Sequence, residues 1–60
     1  MTASACYVLD GDDRWPGRVL AWRRDGETWR GLVRFSRVMP AGYALTFEHW
    51  LGADDLVARE

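Results

Sequence analysis

Short apolar or alternating runs make up most of this 60-residue chain, and short Asp/Gly or Pro/Gly clusters separate them. A period of two is that of a half-buried β-strand, and the clusters supply the backbone conformations that turns need. Ala5–Leu9 (Ala-Cys-Tyr-Val-Leu) fits a first strand, broken by Asp10-Gly11-Asp12-Asp13. Trp15–Phe35 reads as two long antiparallel strands folded about Asp25-Gly26, because Asp-Gly between runs rich in Val, Leu and Trp is a strong hairpin signal. Pro16 lacks a ladder donor, which places Trp15-Pro16 at a strand start or a sheet edge. Arg37–Gly42 is a loop marked by Pro40 and Gly42. Tyr43–Phe47 is a fourth strand with Tyr43, Leu45 and Phe47 on one side, and Glu48–Leu51 continues or leaves it. Gly52–Asp55 reads as one tight or 3₁₀ turn, and Leu56–Ala58 as a last short strand. A helix over Ala53–Glu60 is the alternative for this tail, although so short a helix is marginal alone.

The register of the central pair decides which residues face inward. A two-residue loop of Asp25-Gly26 pairs Arg24 with Glu27 and sets Val19 opposite Leu32, which mixes apolar and charged side chains on both faces. A three-residue loop of Arg24-Asp25-Gly26 pairs Arg23 with Glu27 and puts Gly26 at a left-handed position, where glycine is favoured. It sets Trp15, Gly17, Val19 and Ala21 against Phe35, Val33, Gly31 and Trp29. That face is wholly apolar, so the pattern favours this register. Gly17 and Gly31 then leave inner space for Trp15 and Trp29. The opposite face carries Arg18, Leu20 and Trp22 with Thr28, Arg30, Leu32 and Arg34. It is either solvated, with arginine stems lying along apolar neighbours, or a binding surface, since Trp and Arg are enriched where partners dock. Trp15 and Trp50 at the rim would extend such a surface.

Five short strands, no long helix and two turn clusters predict an all-β fold. The layout is that of a small five-stranded antiparallel SH3-like barrel, strongly bent, with one 3₁₀ turn before the last strand, in a single domain. A chain this short buries only about 60% of the surface its unfolded form exposes, so it needs added support. Cys6 is the one cysteine, which excludes an intrachain disulfide, and with His49 as the one histidine no zinc ligand set is visible. Aromatic bulk remains as the support, from four Trp, two Tyr and two Phe, each able to bury roughly 150–250 Å². A homodimer is the other route.

Charge adds an asymmetry. All eight basic residues are Arg, which together with the many Ala, Gly and Val residues points to a GC-rich coding sequence. The formal charge of −1 argues against indiscriminate nucleic-acid binding, yet Arg14–Arg37 carries seven Arg against Asp25 and Glu27, or +5, and the remainder carries Arg59 against seven carboxylates, or −6. Ion pairing between the basic centre and the acidic flanks is the plain account. Asp10-Gly11-Asp12-Asp13 lacks the later ligands and closing Glu of a calcium loop and reads as a solvated turn. Met1–Cys6 has neither the basic segment nor the apolar run of a secretory leader, and no apolar run approaches the roughly 20 residues of a membrane span. With a lone free cysteine, this predicts a cytoplasmic protein, a monomer or homodimer with no membrane partner.

Trp15-Pro16-Gly17-Arg18-Val19 followed by Trp22 resembles the signature of PWWP domains, which stand with Tudor domains among SH3-like barrels. Trp29-Arg30-Gly31-Leu32-Val33-Arg34-Phe35 looks like the strand that follows it, and Trp50-Leu51-Gly52-Ala53 with Leu56 is similar to the turn before the last strand. The resemblance implies an aromatic cage for methylated lysine, held by cation–π attraction, and a basic surface for DNA. Trp15 matches the second Trp of the signature, which that family uses in its cage. Arg14 replaces the first Trp, and Arg34 falls where the family carries an aromatic residue.

Catalytic chemistry is not expected. Glu48 and His49 are neighbours on a strand and point to opposite faces, and no nucleophile–base pair, phosphate loop or cofactor motif is present. The expected function is a non-catalytic module binding a protein or peptide through Arg18, Leu20, Trp22, Arg30, Leu32 and Arg34, extended by Trp15 or Trp50. The alternative is a small barrel binding DNA or RNA, with Arg18, Arg30 and Arg34 on phosphates and Trp22 stacked on a base.

Overall fold

Two tight turns of the chain are built the same way. In Asp10-Gly11-Asp12-Asp13 and Asp25-Gly26-Glu27-Thr28 the glycine takes the first central position, with φ of 59° and 66°. No non-glycine residue among those described has a positive φ. This sign pattern is that of a type II′ turn, whose twist matches that of the flanking strands. Asp10 pairs with Asp13 and Asp25 with Thr28, so each hairpin closes through two residues.

In the computed structural model, which describes residues 4–59, these turns join β1 (Ser4–Asp10), β2 (Asp13–Asp25) and β3 (Thr28–Val38). Then come β4 (Ala44–Gly52), a 3₁₀ turn (Ala53–Asp55) and β5 (Leu56–Ala58). The five strands form one antiparallel sheet in the order β4-β3-β2-β1-β5, so the chain end returns beside β1. The all-β class, the strand sequence and the 3₁₀ turn match the reading of the sequence. The tail is a turn and a strand rather than a helix; Met1–Ala3 of the leader comparison and Glu60 of that alternative lie outside the described residues. β3 continues through Val38, which shortens the expected loop, and β4 runs on through Glu48–Leu51 but begins after Tyr43.

The central hairpin adopts neither of the two registers expected. Its loop is Gly26-Glu27, with Asp25 opposite Thr28, Arg24 opposite Trp29 and Trp22 opposite Gly31. That phase would send Val19 outward if it continued. A β-bulge between Val19 and Ala21 corrects it: Leu20 is the extra residue, and beyond it Val19 meets Val33 and Gly17 meets Phe35. A bulge adds one residue to one strand, so it reverses the phase of alternation and bends the strand. The glycine-led turn and the apolar face are therefore both satisfied.

The inner face carries the core of Cys6, Val8, Val19, Val33 and Phe35, with Trp15, Phe47, Leu51 and Leu56 packed against it. Val33, at the centre of β3, is fully buried. Gly31 makes space there, for Val19 and for Trp22 and Leu56 rather than Trp15 and Trp29: a Cβ on it would stand 3.2 Å from Val19 Cγ1 and 3.3 Å from both Trp22 Cζ3 and Leu56 Cδ1.

Candidate binding surface

The outer face of the sheet follows from the register. Along β3 it presents Arg30, Leu32 and Arg34. Arg34 lies opposite Arg18 on β2 and Glu48 on β4, while Leu32 lies opposite Ala21 and Trp50. Arg30 lies opposite Arg23 and Gly52. A strip of Leu32 and Trp50, both half-buried, thus runs between two cross-strand arginine pairs. The Arg23 guanidinium sits 4.4 Å above the Trp50 ring, close enough for a cation–π contact.

Three ion pairs draw on these arginines and their neighbours. Arg30 Nε meets Asp25 Oδ2 at 2.9 Å, Arg34 Nη2 meets Glu48 Oε2 at 3.2 Å, and Arg37 Nη2 meets Asp10 Oδ2 at 3.0 Å. The last two join the basic centre to the acidic flanks, as the charge pattern suggests. Among the described residues Arg18 and Arg23 have no such partner. Like charges directly across a sheet are destabilising, so the Arg18–Arg34 and Arg23–Arg30 pairs weaken the fold that displays them.

The structure separates the residues expected on one face. Arg18, Arg30, Leu32, Arg34 and Trp50 share the outer face. Leu20 is the bulge residue and 40% exposed. The bulge turns Trp22 to the opposite face, where it lies across from Gly31. There Trp22 and Trp29, each about half exposed, line an open groove with Ala53, and Arg24 stands 6.0 Å over the Trp29 ring. Trp22 therefore does not stand beside Arg18, Arg30 and Arg34. Trp15 also lies on the inner side: its indole N–H donates to Asp10 Oδ2 at 3.1 Å, and the Arg37 guanidinium lies 5.5 Å over its ring. Arg23 and Arg59 join the outer face without having been expected there. Arg23 needs the bulge to be placed, and Arg59 needs the return of β5 to β1.

His49 and Glu48 point to opposite faces, as adjacent strand residues do. Glu48 binds Arg34 outside. His49 lies on the inner side of the sheet but is exposed, stacked on Phe47 at 6.0 Å and tilted against Phe35 at 6.2 Å. Burial pushes the Cys6 thiol above its ordinary pKa, against a weaker pull downward from Arg59. Among the described residues no three His, Cys, Asp or Glu side chains converge as a metal site, and no helix is long and apolar enough to cross a membrane. The chain matches no protein-family profile, and no curated protein or solved structure matches it.

Proposed function

We propose that this chain is a non-catalytic binding module, a small SH3-like barrel that docks a protein or peptide partner on the outer face of its central hairpin. The carrying observation is the Leu32–Trp50 strip set between the arginine pairs Arg18–Arg34 and Arg23–Arg30. Interfaces combine an apolar centre with a polar rim, and Trp and Arg supply much of their energy. The return of β5 beside β1 after a 3₁₀ turn supports the barrel reading, and the PWWP resemblance of Trp15–Val19 agrees with it. The nucleic-acid reading keeps its phosphate contacts in Arg18, Arg30 and Arg34 but needs Trp50 in place of Trp22 as the stacking residue.

The test is an immobilised chain exposed to extract of the source cell, compared with Leu32→Ser and Trp50→Ala variants that retain the native circular dichroism spectrum. A defined protein retained by the native chain and lost from both variants is expected. Retention that survives both changes but is lost in Trp22→Ala would move the docking surface to the other face.

A further inference from the structure

One cross-strand row of the outer face has a chemistry of its own. In strand order it reads Glu48, Arg34, Arg18, Ala5, Arg59. The last step is set by the Arg59 amide, which donates to the Ala5 carbonyl at 3.2 Å. The Arg59 guanidinium lies 5.6 Å over the Tyr7 ring, which keeps it on this face. A shallow groove brings together Arg18, Arg34 and Arg59 with Pro16, Ser36 and Thr46. Three guanidinium groups and two hydroxyls are donors, and Glu48 is the one carboxylate on the row. Its Oε2 takes Nε and Nη2 of Arg34 at 3.3 and 3.2 Å. Arg18, which faces Arg34 directly, has no carboxylate in ion-pair range among the described residues.

We infer that this row receives an acidic segment of the partner, an extended peptide whose carboxylates pair with Arg18, Arg34 and Arg59. The inference rests on the outer-face reading above. Charge complementarity carries it, since an anionic occupant relieves the repulsion that the like-charged pair builds into the empty sheet. The spacing agrees. Arg34 and Arg59 stand three strand separations apart, about 14 Å, and carboxylates at positions i and i+4 of an extended peptide are about as far apart. A short acidic segment is favoured over a nucleic-acid backbone. A longer polyanion would run on past Glu48 at the β4 end of the row, on a chain of net charge −1.

The probe is a fluorescein-labelled Ser-Glu-Ser-Glu-Ser-Glu-Ser peptide, read by anisotropy beside its Gln counterpart and an oligothymidine decamer. Binding of the Glu peptide alone is expected, weakening with added salt. Arg18→Gln and Arg59→Gln should each lower its affinity by up to about fivefold, the range for exposed charge pairs. Equal binding of the Gln peptide, lost in Trp50→Ala, would overturn the carboxylate chemistry and leave the outer-face reading standing. Preferential binding of the decamer, lost in the arginine variants, would replace carboxylate by phosphate and overturn the inference. Glu-peptide binding that ignores the arginine changes and is lost in Trp22→Ala would overturn both readings. Absence of binding by every probe would overturn the inference.

Discussion

Of the glycines, Gly17 leaves the least room for a side chain. A Cβ there would stand 2.7 Å from the Arg34 carbonyl oxygen and 2.7 Å from Phe35 Cβ. The oxygen belongs to a backbone held in a ladder, so it has little room to move. Gly17→Ala should therefore cost about 1–3 kcal/mol, as overpacking does, seen as a lower urea midpoint with unchanged slope. An unaltered midpoint would mean that β2 and β3 do not approach so closely. Cys6 gives a second test at this scale. Its folded form favours the neutral thiol, so the stability it contributes is present below the ordinary cysteine pKa of about 8.5 and is lost as pH rises through the higher folded value. Thiol reagents should label Cys6 slowly in the native chain at neutral pH and quickly in urea; fast native labelling would contradict its burial. The glycine spacing in the sequence pointed to an inner face with room in it, but only the observed register shows what each space holds.

The central hairpin shows how much of an element can be read and where reading stops. Asp25-Gly26 marks the turn, and the flanking Val, Leu and Trp residues mark the strands. The register depends on a bulge at Leu20, and a bulge leaves no period of its own: it appears as two alternating runs out of phase. Alternation alone favours a longer loop, whereas the chain keeps a two-residue glycine-led turn and inserts the extra residue in β2. The consequence is local and checkable. Trp22 should show nuclear Overhauser contacts to the Leu56 methyls and none to Leu32; the reverse would return Trp22 to the arginine face. The same element carries the repulsive pair. Arg18→Gln should leave stability unchanged or raise it by up to about 1 kcal/mol. Glu48→Gln should cost more in the native background than beside Arg18→Gln, since Glu48 offsets the repulsion through Arg34. Additive effects in thermal unfolding would show that the two arginines do not interact.

At the scale of the whole molecule, five buried hydrophobic residues among those described and four that pack on them make a small core, and the outer face works against it with like-charged pairs. Order, class and most strand limits were legible because they follow from local alternation and turn chemistry. The candidate surface was legible in part. Arg18, Arg30, Leu32, Arg34 and Trp50 do share a face, but Arg59 joins them only through the pairing of β5 with β1, a contact between the ends of the chain that no local pattern encodes. The central claim is that the outer face docks the partner and the Trp22–Trp29 groove does not. Amide shift mapping on the ¹⁵N-labelled chain, titrated with the Glu-bearing peptide, tests it most directly. Shifts concentrated at Arg18, Leu32, Arg34, Trp50 and Arg59, with Trp22, Trp29 and Ala53 unmoved, are predicted. Shifts confined to Trp22, Trp29 and Ala53 would contradict the account.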